Sequence, residues 1–327
     1  MKMILVIFLL IFLRIGLAQY SPPAGEPGST AIHMDSSIIV GWASQVISFD
    51  PGPQNISVPG SPDVDFGIAA NATGHAEGNS IDVVTLGDGG SITLGFFYPI
   101  KNGSGPDFAV FENGFDDTFL EFAHVEVSTD GLTFVRIPSV SLISSLVQTT
   151  SFGSSDTELV HNLAGKFRQG YGTPFDLEDV VDSLGINLDS INFVRVVDVV
   201  GCVQSAYASF DADGDIVNDP FPTEFETGGF DLDAVGTIHV NGVYSSGISE
   251  NEMGFNVYPN PTSGKIYFRY ETGDFLIKLL TVTGREVHCS GSSEFDFTDK
   301  GLETGIYFVR TEFATGEIRT ERVVYAK

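Results

Sequence analysis

Cysteine is nearly absent: Cys202 and Cys289 are the two in 327 residues. Two thiols cannot build the disulfide framework of a small secreted scaffold, and no Cys or His spacing forms a zinc site. Both are expected as small buried apolar groups. Basic residues are scarce as well, 16 Lys and Arg against 43 Asp and Glu, a formal net charge of −27. Nucleic acid and anionic lipid are held through Lys and Arg, so a charge this negative opposes binding to either, and no nucleic-acid partner is expected. Long helical periodicity is missing. So are a G-x-S-x-G elbow, an H-E-x-x-H pair and a glycine-rich phosphate loop, which removes the common hydrolase and nucleotide-binding signatures. No apolar run reaches the roughly 20 residues that span a bilayer. The longest, Met3–Leu13, follows Lys2, stops at Arg14 and leads to small residues at Gly16 and Ala18. That order reads as a secretory signal over residues 1–19, leaving no transmembrane segment after its removal.

What the chain has instead is acid, glycine (37) and phenylalanine (27). Residues 20–250 hold five basic and 32 acidic side chains, whereas 251–327 hold nine and 11. The charge therefore sits in a middle domain, placed at residues 20–248, and a nearly neutral segment follows at 252–327. A Ser-, Gly- and Glu-rich linker at Tyr244–Glu252 separates them. Short alternating runs recur through the middle domain: Ile38–Trp42, Ile81–Leu86, Ser91–Phe97, Asp107–Glu112, His124–Ser128, Phe134–Ile137, Asn192–Val199 and Ala234–Val240. Strands of this spacing predict an all-β, jelly-roll-type β-sandwich. One helix is expected on it, capped by Thr173, with Pro174 in its first turn, Leu177, Val180, Val181 and Leu184 on one face, and Gly185 as stop.

Three sets of residues carry candidate chemistry. Asp211, Asp213 and Asp215 alternate around Gly214, with Asn218 and Asp219 beyond. Oxygen ligands spaced along a tight loop suit calcium, and Asp231 and Asp233 could complete the site; a solvated turn uses the same residues. The loop Gly165–Phe175 mixes glycine, aromatic and cationic residues outside the expected strands. Its Arg168, Tyr171 and Phe175, with Glu112 and Asn113, are candidate glycan contacts. Glu112 and Glu121 could also act as the paired acids of glycoside hydrolysis.

The final segment carries a motif with a known counterpart. Phe255–Tyr270 contains Val257-Tyr258-Pro259-Asn260-Pro261; Gly284 marks a turn, Gly305-Ile306-Tyr307 starts a strand, and Arg319, Arg322 and Lys327 make a basic end. In this order they closely resemble the type A C-terminal sorting domain of the type IX secretion system of Bacteroidetes. The resemblance implies a small Ig-like β-sandwich, recognition by the type IX machinery through Tyr258, Pro259, Asn260, Pro261, Gly305 and Tyr307, and delivery outside a Gram-negative cell or onto its outer membrane. In the middle domain, His124–Phe134, with an Asp130-Gly131 turn, resembles a hairpin of discoidin-type, galactose-binding-like sandwiches. The leading expectation is a calcium-stabilised module that binds a glycan or another surface component. The alternatives are an extracellular hydrolase of polysaccharide or protein, and a structural matrix protein without a small ligand.

Overall fold

The computed structural model describes residues 20–181, 183–242, 256–269, 275–281, 285–290, 294–298, 300–313 and 318–326. The signal segment, the linker at Tyr244–Glu252 and the turn at Gly284 lie outside them. The chain divides into two units, Met1–Tyr244 and Ser245–Lys327.

The described residues of the first unit form twelve strands. They are β1 (Ile32–His33), β2 (Gly41–Asp50), β3 (Val84–Thr85), β4 (Ser91–Ile100), β5 (Phe108–Glu112), β6 (Ala123–Ser128), β7 (Val135–Arg136), β8 (Val140–Ser141), β9 (Val160–His161), β10 (Tyr171–Phe175), β11 (Ile191–Asp198) and β12 (Asp231–Thr237). Ten of them make one antiparallel sheet in the order β1-β10-β5-β12-β2-β4-β11-β6-β7, with β3 on β12; β8 and β9 pair separately. The sheet curls, so that its two halves bury side chains in one core. Phe108, Val110, Phe175, Leu232 and Val235 come from one half, and Ile92, Leu94, Val125, Val127, Val194 and Val196 from the other. The protein is thus an all-β sandwich.

Strand β6 shows how sequence alternation becomes two environments. Ala123, Val125 and Val127 enter the core, while Glu126 on the other face receives Arg136 Nη2 at 2.8 Å and Arg195 Nε at 2.7 Å. The turn after β6 forms as read. Gly131 takes φ +73°, and Asp130 Oδ1 accepts from the Leu132 and Thr133 amides at 2.8 Å.

Among the described residues the expected helix is absent. Thr173, Pro174 and Phe175 pair with Val110, Ala109 and Phe108 of β5, and Phe175 stacks on Phe108 at 5.3 Å in the core. Asp176 then caps a single 3-10 turn, Leu177–Val180, accepting from the Glu178 amide. Only Leu177 and Val180 of the proposed face are buried, and Leu184 is 93% exposed. The apolar area of one turn cannot offset the cost of nucleating a longer helix, whereas β10 gains a full ladder.

Many of the acids have structural jobs. Asp107, fully buried, accepts from the Gly103 and Leu177 amides at 2.7 and 2.8 Å and lies 2.8 Å from His239 Nδ1. Asp198 holds the Gly89 and Phe230 amides, and Asp233 those of Glu77 and Gly78. Charge-assisted bonds of this kind pin irregular loops where no ladder exists. Cys202 is a free, buried thiol packed with Val200 and Phe221.

The described residues of the second unit form seven strands: β13 (Asn256–Tyr258), β14 (Lys265–Arg269), β15 (Phe275–Thr281), β16 (Glu286–Ser290), β17 (Glu294–Asp296), β18 (Gly305–Phe313) and β19 (Ile318–Tyr325). They form the sheets β13-β14-β17 and β16-β15-β18-β19, closed over Ile266, Leu279, Phe297, Val309, Val323 and Tyr325. Asn260 ties the Tyr-Pro-Asn-Pro box to the last strand: its Nδ2 donates to Arg322 O at 2.6 Å and its Oδ1 accepts from Val324 N at 2.9 Å. Tyr307 is buried and donates its hydroxyl to Glu303 O at 2.8 Å.

Candidate functional site

Among the concave regions of the first unit, two gather titratable side chains with shifted pKa values. The larger, about 620 Å³, is the size of a small-ligand cleft. One wall carries two parallel rings: Tyr20 and His161 stack face to face, with centroids 5.0 Å apart and 4° between their planes. His161 ends β9, and the chain then turns sharply at Asn162, which takes φ +51°. Asn tolerates that left-handed conformation, and its Nδ2 secures the turn on Pro138 O (3.0 Å) and Asp179 Oδ2 (2.8 Å). The turn delivers Lys166 into the cleft, where Nζ donates to Val160 O at 2.7 Å and lies 5.8 Å from the centre of the Tyr20 ring. Burial lowers the Lys166 pKa to about 8 and that of His161 below its ordinary value, because a low-dielectric site disfavours the charged form. Thr173, Asp176 and Asp179 also line the cleft. The buried Thr173 hydroxyl has no partner.

The smaller region, about 130 Å³, lies at one end of the sandwich. Antiparallel pairing brings together the end of β5 (Glu112), the approach to β6 (Glu121), the end of β11 (Asp198) and the start of β12 (Asp231); the register sets Leu232 opposite Glu112 and Asp198 opposite Ala123. Asp231 accepts from Thr85 Oγ1, and at 3.0 Å from Asn113 Nδ2. Glu112 Oε2 accepts from the Gly114 amide at 2.7 Å, and Asp219 Oδ2 from the Phe122 amide at 3.0 Å. The other oxygens of these two carboxyls, Glu112 Oε1 and Asp219 Oδ1, are buried without partners. Burial first, then neighbouring carboxylates, push Glu112 and Glu121 well above the usual carboxylate range. Asp219 and Asp198 are also raised well above it, chiefly by burial, and Asp231 rises to about 6. A buried carboxyl with a raised pKa in a cleft is a functional-site signal.

The residues expected to bind calcium do not gather in one place. Asp211 is committed to amides: Oδ1 accepts from Asp213 and Asp215, and Oδ2 from Ser141. Asp213 and Asp215 point to solvent. Asn218 is buried and braces Thr149, Ser144 and Val147, and Asp233 holds the Glu77 and Gly78 amides. Only Asp231 lines the acidic pocket; Asp219 is buried near it and helps to raise the Glu121 pKa. Among the described residues, no three His, Cys, Asp or Glu side chains are grouped to hold a metal ion.

The expected glycan contacts scatter similarly. Phe175 is core; Arg168 stacks on Tyr171 at 4.8 Å and bonds Asp117 Oδ1 at 2.5 Å and Ala24 O. Asn113 lines the acidic pocket, and Glu112 is buried beside it, coupled to Asp231. The loop 165–175 does serve the cleft, but through Lys166, Phe167, Thr173 and Pro174. Tyr20 and His161, which the sequence reading passed over, are isolated aromatics with no local pattern to mark them.

Comparison with known proteins adds one assignment. The family described as the secretion system C-terminal sorting domain matches residues 256–325. Residues 256–325 are a secretion-system C-terminal sorting domain. The sorting domain marks the chain as cargo of type IX secretion, secreted or held at the cell surface. No helix among the described residues is long and apolar enough to cross a membrane. No curated protein matches the chain. Among solved structures, PorZ, an essential surface component of the type IX system of Porphyromonas gingivalis, is 18% identical over 29% of this chain and 14% of its own, at a TM-score of 0.20. A β-glucuronidase from Ruminococcus gnavus is 12% identical over 73% of this chain and 37% of its own, at 0.19. Superpositions this poor carry no argument about activity.

Proposed function

We propose that the first unit, delivered to the cell exterior by the sorting domain, binds a glycan in the cleft walled by Tyr20 and His161. The observation that carries this reading is the stacked, nearly parallel ring pair beside Asn162, Lys166, Asp176, Asp179 and the unpartnered Thr173 hydroxyl. A sugar ring offers an apolar C–H face to an aromatic surface and hydroxyls to such a polar rim. It would also satisfy the buried Thr173 hydroxyl, whose unmade bond costs about 1–3 kcal/mol.

The test is a glycan panel screened for binding and for release of reducing ends. Binding without turnover is expected, weakened about tenfold by His161→Ala, the loss of one stacking contact, and similarly by Lys166→Met. A panel with no bound glycan, or binding indifferent to both substitutions, rejects the cleft. Calcium, expected from the 211–219 segment, is tested separately. A melting temperature raised by calcium, reversed by a chelator and lost in the Asp213→Asn, Asp215→Asn double variant, supports an ion on that turn's two solvent-facing carboxylates.

A further inference from the structure

The acidic pocket has chemistry that the glycan reading leaves unused. Glu121 lies between Leu120 and Phe122, whose side chains are wholly buried in a small apolar cluster. They draw the intervening carboxyl beneath the surface, to 8% exposure. None of its oxygens is hydrogen-bonded, whereas the neighbouring Asp231 uses both of its own. Two further carboxyl oxygens of the cluster, Glu112 Oε1 and Asp219 Oδ1, are also buried without partners. No Lys or Arg lines the pocket. The cluster therefore presents buried carboxyl oxygens to which the pocket lining offers no cationic partner.

The mouth is aromatic. Phe115, Phe119, Phe152 and Phe225 succeed one another with centroids 5.8, 6.4 and 5.8 Å apart. Phe115, Phe152 and Phe225 are substantially exposed, Phe152 to 76%. The negative face of an aromatic ring attracts cations, as a carboxylate does. A calcium or magnesium ion would need several oxygens at about 2.0–2.6 Å, and no three side chains here gather so; nor does a metal ion of this kind draw on phenyl rings. An ammonium group matches both halves, since its N–H bonds reach carboxylates at ~2.8 Å and its carbons pack among rings.

We propose that this pocket binds an organic ammonium group, with its nitrogen against Glu121 and Asp231 and its carbons among Phe115, Phe119, Phe152 and Phe225. Glu121 is faced by Glu112 from β5, Asp231 from β12, and Asp219 and Asp198 from the loop and strand behind it. Burial among these carboxyls keeps Glu121 protonated, so the incoming cation displaces a proton into solvent. Affinity accordingly rises with pH.

Calorimetric titration of the purified full chain tests this with butylammonium, tetramethylammonium and Nα-acetyl-lysine amide as probes. Saturable binding is expected, stronger at pH 8 than at pH 6 and accompanied by proton release. Glu121→Gln, nearly isosteric, and Phe152→Ala, at an exposed position, should each weaken it about tenfold. His161→Ala, in the other cleft, should leave it unchanged, so failure here and failure of the glycan reading are separable. Binding shared by butylammonium and the lysine amide supports the proposal with a protein's lysine side chain as the source. Preference for tetramethylammonium supports it with a free quaternary amine. No saturation by any of the three, equal binding by Glu121→Gln, or competition in which calcium occupies the pocket instead would overturn it.

Discussion

Gly165→Ala is expected to lower the melting temperature of the first unit by roughly 10–15 °C, the largest effect of any conservative change near the two pockets. Gly165 has φ +80°, and an added Cβ would lie 1.8 Å from the Glu121 carbonyl oxygen and 3.0 Å from the Phe230 ring. The left-handed backbone costs a non-glycine residue about 1–2 kcal/mol. The clash adds at least the 1–3 kcal/mol of an overpacked core, because its partner is backbone and cannot rotate away. Ala164 is bonded to Ala123 in both directions, at 2.9 and 3.1 Å, so the loop cannot retreat without breaking that pairing. Gly28→Ala is the control: φ is +92°, but nothing lies within 4 Å of the added carbon, and only the conformational cost is expected. Calorimetric melting of both variants checks the comparison. An equal, small loss for each would show that the loop yields freely. Because Gly165 joins Lys166 of the cleft to the backbone of Glu121, its replacement should weaken both binding activities together.

Stability of the first unit should fall as pH rises, by about 5–10 °C in melting temperature between pH 5 and pH 8 in buffer free of amines and divalent ions. Asp88 and Asp231 are raised to about 6, and Glu112, Glu121, Asp198 and Asp219 well above the ordinary carboxylate range. The unfolded chain releases these protons near pH 4, while the folded chain retains them. Between pH 4 and pH 7 the native state therefore binds more protons, and stability declines with pH. The contribution is complete below about pH 4 and is lost as pH climbs through 6 and beyond. His124, pushed down from 6.5 to about 3 by burial, acts oppositely between those values and offsets part of the loss. Asp130 and Asp116, depressed by amide bonds, also oppose it but are solvent-exposed and matter only in stronger acid. Glu121→Gln should flatten the profile. A melting temperature higher at pH 8 than at pH 5 would mean that the cluster is ionised and compensated. Adding butylammonium at pH 8 should restore part of the lost stability.

Much of the fold was legible because strand periodicity is a local property. Alternation predicts Ser91–Phe97, Asp107–Glu112, His124–Ser128 and Asn192–Val199, and β4, β5, β6 and β11 lie at those positions. Segment 171–184 was misread because Thr-Pro-x-Asp resembles a helix start wherever it occurs. Only the presence of β5 alongside makes Tyr171–Phe175 a strand. The Phe115, Phe119, Phe152 and Phe225 rim was equally hidden. A phenylalanine is ordinarily core, and three of these are exposed because their loops converge on one end of the sandwich.

From the sequence alone follow the all-β class, the acidic first unit and the sorting domain, since each is written in composition, short-range alternation or a contiguous motif. The sites are not contiguous. Glu112, Glu121, Asp198, Asp219 and Asp231 span 120 residues of chain, and they meet because antiparallel pairing places the ends of β5, β6, β11 and β12 side by side. Tertiary structure decided which acids are held by amides and solvent, as Asp211 and Asp213 are, and which are buried without a counter-charge, as Glu121 is. Burial depends on what packs across the sheet, and no short stretch of sequence contains that information.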